Sequence, residues 1–121
     1  MHDPTFTILY VRDAAASASF YADLLGRPPI EAAPTFAMFA LAGGTMLGLW
    51  TRDGVEPAAT APGGSEIAFT VGDDDAVRAA CEDWRARGIE VLQAPVRMDF
   101  GYTFTASDPD GHRLRVFAPA G

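Results

Sequence analysis

With 121 residues, 49% of them apolar, the chain is long enough to bury one hydrophobic core and points to a single domain, 1–121. A net charge of −7, with nine arginines spread singly and no lysine, excludes a nucleic-acid surface and disfavours anionic membranes. The one cysteine, Cys81, excludes an internal disulfide framework. No apolar run reaches the ~18 residues of a membrane span, and His2-Asp3-Pro4 does not read as a signal peptide, so the cytoplasm is the expected location.

In chain order, Thr5–Val11 alternates as a strand, and Asp13 then opens a helix that runs to Leu25 and stops at Gly26. Ser17, Phe20, Tyr21, Leu24 and Leu25 give that helix one apolar stripe. A weak strand is expected near Pro29–Ala33, then Phe36–Leu41 and Met46–Thr51 joined by a hairpin at Gly43-Gly44. Residues 53–64, rich in Pro, Ala and Gly, read as a linker. The second half repeats the order. Glu66–Val71 is a strand, Asp73 or Asp74 caps a helix with a Val77, Ala80, Cys81, Trp84 stripe to about Arg87, and Gly88 follows. Strands are then expected at Ile89–Leu92, Tyr102–Ser107 and Arg113–Phe117, the last two joined by Asp108-Pro-Asp-Gly111, where Pro109 presets φ and Gly111 accepts a positive one. Val11 and Val71, like Asp13 and Asp73, lie 60 residues apart. Two β-α-β-β-β modules, about 4–52 and 65–119, are therefore expected, in an α+β fold.

The stretches Ser19-Phe-Tyr-Ala-Asp-Leu-Leu-Gly26 and Asp108-Pro-Asp-Gly-His112, together with the repeated module, resemble the vicinal-oxygen-chelate superfamily of glyoxalases, bleomycin-resistance proteins and extradiol dioxygenases. The resemblance covers nearly the whole chain. It implies a cup-shaped, eight-stranded mixed sheet with the helices outside, and pairing of chains into a homodimer. The superfamily's metalloenzymes place ligands at positions that map here to Phe6, Gly48, Glu66 and Arg115. A divalent site needs several converging N, O or S donors, and only Glu66 qualifies, so no metal and no cofactor are expected. His112 follows the turn glycine and is assigned to the turn.

Strand alternation extends the map of the cup. Phe6, Ile8, Met46, Gly48 and Trp50 are expected to line it from the first half, and Glu66, Thr103, Thr105 and Arg115 from the second. Gly48 would leave floor space. Phe36 and Phe39 lie on opposite faces of one strand, and Phe39 is taken as the lining one. Phe100 is expected to close the mouth from a Val96–Phe100 loop. Trp50 is singled out as a stacking platform, and Glu66 with Arg115 as a mutually satisfied pair.

Leu49-Trp50, Glu56-Pro57, Ser65-Glu-Ile67 and Asp99-Phe-Gly-Tyr-Thr-Phe104 resemble the metal-free, drug-sequestering branch of the superfamily more than its enzymes. The resemblance implies binding of a planar aromatic small molecule such as a phenazine-type antibiotic. The alternative is a metal-free or divergent lyase, isomerase or dioxygenase using Glu66 as base. A third is a domain with a vestigial cup that binds nothing.

Overall fold

Two aspartates start the two helices. In the computed structural model, which describes residues 1–121, Asp13 Oδ1 accepts from the Ala15 and Ala16 amides at 3.0 and 3.4 Å and opens α1, Ala14–Leu25. Asp73 Oδ1 accepts from the Ala76 amide at 2.8 Å and opens α2, Asp74–Ala86. Each carboxylate satisfies donors that a first helical turn leaves unpaired, an arrangement typically worth about 1 kcal/mol. Gly26 ends α1 at φ +69°, its amide donating to the Ala22 carbonyl at 2.9 Å, in a conformation that any side chain would strain.

The chain divides into two compact units, residues 1–61 and 62–121. In the first, strands β1 (Phe6–Val11), β2 (Glu31–Ala32), β3 (Phe36–Ala40) and β4 (Met46–Thr51) form one sheet in the order β1-β4-β3-β2. In the second, β5 (Glu66–Thr70), β6 (Glu90–Met98), β7 (Gly101–Ser107) and β8 (Arg113–Pro119) form another in the order β5-β8-β7-β6. The leading strand of each unit runs parallel to the final one, and the remaining pairs are antiparallel. Each unit is thus the β-α-β-β-β module expected from the sequence, and the fold is α+β, with the eight strands divided four and four.

Alternation along the strands gives each sheet a helix-covered face and an open one. In the first unit Val11, Ala37, Phe39, Leu47 and Leu49 are buried together with Ala14, Ala18 and Tyr21 of α1. In the second, Phe104, Ala106, Leu114 and Val116 are buried with Val77, Cys81 and Trp84 of α2. The Trp84 ring stands edge-on to Phe69 and Phe104 at 5.9 and 5.2 Å, the aromatic geometry that adds to simple area burial.

One hairpin meets expectation and one strand departs from it. The expected hairpin at Gly43-Gly44 is present, its connection a short 3-10 turn over Ala42–Gly44 closed by the Leu41 amide on the Thr45 carbonyl at 2.8 Å. β6 runs on to Met98 through Pro95, where the sequence suggested an end at Leu92. Pro95 is accommodated because β6 is an edge strand and its ladder shifts register between Gln93 and Val96. Val96–Met98 consequently belong to a strand and not to a closing loop.

The β7–β8 turn is anchored by a residue that the motif alone does not single out. Asp108 is buried, and its Oδ1 accepts from the Asp110 and His112 amides at 2.9 and 2.8 Å. Its own amide donates to the His112 carbonyl at 2.9 Å. This Asx-type anchoring fixes the register that follows, Ser107 opposite Arg113 and Thr103 opposite Phe117.

Candidate functional site

On β8, buried Leu114, Val116 and Ala118 alternate with Arg113, Arg115 and Phe117, which share the open face of the second sheet. The register sets Thr105 opposite Arg115 on one side and Ala68 beside it on the other. Arg115 Nε donates to Glu66 Oε1 at 2.6 Å and its Nη1 donates to Thr103 Oγ1 at 3.1 Å. The Thr103 hydroxyl in turn donates to the Val116 carbonyl at 2.8 Å, so accepting from the guanidinium and donating onward reinforce one another. The Glu66–Arg115 pair implied by the superfamily resemblance is therefore present. With side chains 34% and 16% exposed it is screened, and its net worth is about 1 kcal/mol or less.

Phe100 lies over this pair. The Arg115 guanidinium carbon is 5.5 Å from the Phe100 ring centre, and Phe100 meets Phe117 edge-on at 5.8 Å. A hollow of about 350 Å³ is lined by Glu66, Ala68, Phe100, Arg115 and Phe117. It offers two phenyl rings for stacking, a guanidinium for donation and a carboxylate for acceptance.

The backbone that carries Phe100 is pinned from below. Gly101 has φ +149°, and a Cβ there would stand 2.0 Å from the Ala118 carbonyl oxygen, so β7 and β8 approach too closely for any other residue. The Phe100 carbonyl accepts from the Ala120 amide at 2.8 Å. Next along β7, the Tyr102 ring lies near the guanidinium carbons of Arg78 and Arg97, 5.2 and 5.1 Å from its centre. Arg97 pairs with Asp74 at the start of α2, and Arg78 pairs with Asp75. The hydrogen bond to Asp75, then that to Tyr102, push the Arg78 pKa up. The sequence gives no hint of this clamp, because its members come from α2, β6 and β7.

The open face of the first sheet is mainly aromatic, with the exposed Glu31 at its rim, opposite Met38 on β3. Phe6 and Phe36 lie 6.4 Å apart, and Tyr10 stands edge-on to Trp50 at 6.3 Å. Phe6, Ile8 and Tyr10 of β1 are exposed, and Met46 and Trp50 of β4 are half-buried. Two expectations need correction. Phe39 is fully buried on the helix side, while Phe36, opposite Trp50 in the ladder, is the phenylalanine of the open face. Gly48 does not leave vacant floor: a Cβ there would lie 2.7 Å from the Phe6 ring and 2.9 Å from the Phe36 ring. In the second unit Thr103 and Thr105 do point to the open face, but both are buried, with Thr103 held by Arg115 and Val116, and Thr105 donating to Gln93 Oε1 at 3.4 Å.

The residues at the superfamily's metal-ligand positions do not fit a divalent ion. Phe6 and Gly48 bring no donor, and Glu66 is engaged by Arg115. No group of three or more His, Cys, Asp or Glu side chains comes together anywhere in the chain. Burial pushes the Cys81 thiol pKa up, which leaves it a core residue rather than a nucleophile. No helix is long and apolar enough to cross a membrane.

Comparison with known proteins identifies the family and the fold. The profile of the Glyoxalase/Bleomycin resistance protein/Dioxygenase superfamily matches residues 4–116, and the chain belongs to that superfamily. The phenazine antibiotic resistance protein EhpR of Enterobacter agglomerans is 31% identical over 116 residues, covering 93% of this chain and 89% of the relative. The solution NMR structure of protein ATC0852 from Agrobacterium tumefaciens is 54% identical over the full length of both chains, with a TM-score of 0.92. The crystal structure of a glyoxalase-related enzyme from Fulvimarina pelagi, 24% identical over 100% of this chain and 94% of that one, matches with a TM-score of 0.84 and bears on the fold alone.

Proposed function

We propose that this chain binds and sequesters a planar aromatic small molecule, of the phenazine-antibiotic kind, without a metal ion and without chemistry. One observation carries the reading. The position from which metal-dependent relatives would draw a carboxylate holds Arg115, already paired with Glu66 at 2.6 Å and lying under the Phe100 ring. A guanidinium has no lone pair to give a metal ion, and its donors suit the acceptor edge of a flat heteroaromatic. Offset stacking on Phe100 and Phe117 contributes about 0.5–1.5 kcal/mol per ring pair beyond burial. Thr103, tied to Arg115, holds the donor in place, and Thr105 stands beside it. In the first module, Trp50 keeps its role in the proposal as an aromatic platform in its own right, beside Phe6, Ile8 and Met46. The name and 31% identity of the phenazine-resistance relative support the same ligand class. The reading includes a cytoplasmic homodimer, which the exposed Phe6, Ile8 and Tyr10 support.

Titration of phenazine into the protein tests this by intrinsic fluorescence and thermal shift. Saturable quenching and a raised Tm are expected, because a ligand that binds only the native state stabilises it. No quenching and no shift across a panel of flat heteroaromatics would sink the proposal. Light scattering reads the dimer directly, and a monomer mass at micromolar concentration would remove that part.

A further inference from the structure

Two arginines share the open face of β8, and their surroundings differ. Arg115 is neutralised by Glu66 and tied to Thr103. Arg113 lies two residues earlier, directly opposite Glu66 in the strand register, yet the Glu66 carboxylate turns to Arg115. No hydrogen bond, ion pair or ring contact engages the exposed Arg113 side chain. Arg113 also borders two hollows. One, of about 530 Å³, is walled by Gly63, Gly64, Ser65, Glu66 and Gly111; the other, of about 230 Å³, by Gln93, Thr105 and Arg115. This unpaired guanidinium belongs to a chain of net charge −7, and its two hollows share Glu66 and Arg115 with the hollow lined by Phe100.

From this we infer that the ligand carries an anionic group, a carboxylate or its like, and that Arg113 reads it. The neutralised Arg115 reads an uncharged acceptor on the ring edge. The two arginines leave β8 one β-repeat apart, roughly 7 Å along the backbone, on the same face of the strand. This deepens the proposed function and rests on it. The charge division follows from where Glu66 points: one carboxylate cannot neutralise both arginines, and it neutralises the one under Phe100.

The experiment measures Kd for two probes, phenazine and phenazine-1-carboxylate, on the wild-type protein and on Arg113→Gln. The wild type is expected to bind the carboxylate roughly fivefold more tightly, the scale of a solvent-exposed charge pair. That advantage should shrink in 0.5 M NaCl, where screening sets in within a few ångströms. Arg113→Gln should erase it, bringing the two probes to one affinity. Equal binding of both probes by the wild type, or an advantage that survives Arg113→Gln, overturns the inference and leaves the proposed function standing. Binding of neither probe overturns both. Circular dichroism of the variant confirms that the comparison is between folded proteins.

Discussion

The two modules solve the same diagonal contact in opposite ways. The 60-residue repeat and the strand registers make Phe6 equivalent to Glu66, and Gly48 equivalent to Arg115. In the second module a carboxylate meets a guanidinium at 2.6 Å. In the first a phenyl ring folds over a glycine, within 2.7 Å of where a Cβ would be. The scaffold decides which positions look outward, and chemistry is then chosen position by position. At this contact one open face is given a ring over a glycine, the other an ion pair tied to a hydroxyl, on the same strand order. The fold therefore says nothing about catalysis by itself, and the pairwise contacts do.

The sharpest way to break this comparison is at Gly101, which has no tolerance for a side chain. Gly101→Ala should cost on the order of 3 kcal/mol or more, because a positive φ and a backbone collision are combined. Urea denaturation reads the loss. A change below 1 kcal/mol would mean that β7 and β8 can part without penalty.

The exchange of one module's solution for the other comes next. Arg115→Gly alone should destabilise by about 1–2 kcal/mol, and Glu66→Phe with Arg115→Gly should recover about half of it by rebuilding the ring-over-glycine contact. The double-mutant cycle measures the coupling. Strict additivity of the two changes would deny that the contacts are equivalent.

A smaller effect is expected at Gly48. The atoms in its way are the far ends of the Phe6 and Phe36 rings, which can swing aside, so Gly48→Ala should cost about 1 kcal/mol or less. The contrast with Gly101 is the informative quantity: one glycine is confined by backbone, the other by movable side chains. Least disruptive is Trp50→Phe, which should shift Tm by only a degree or two yet remove the more solvent-exposed of the two tryptophan emissions, leaving that of buried Trp84. If the remaining spectrum is red-shifted, Trp84 is less enclosed than its contacts with Phe69 and Phe104 indicate.

Much of this was legible in the sequence wherever a local rule governs. Asp13, Gly26 and Asp73 mark helix ends because capping depends on neighbouring residues alone. The Glu66–Arg115 pair is implied by the superfamily resemblance, which maps both residues to neighbouring positions of one site. Parity named Phe36 and Phe39 as opposite-facing, but it could not say which face α1 covers, and Phe39 proved to be the core residue. Gly48 was read as space, because a sequence shows an absent side chain and not the rings that lean into the gap. The Asp108 anchor and the Tyr102 clamp were invisible for a different reason. Each depends on where a side chain turns relative to residues that only the folded sheet brings near.

Pro95, which hid the end of β6 from the sequence pattern, has a consequence for assembly. A nine-residue strand at a sheet's rim offers a row of unpaired amides and carbonyls to any passing extended chain. Pro95 deletes one donor from that row, and the register shifts beside it bend the rest out of line. Both features work against templated growth of the sheet from this rim. The irregularity that makes β6 hard to recognise also makes it a poor template for copies of itself.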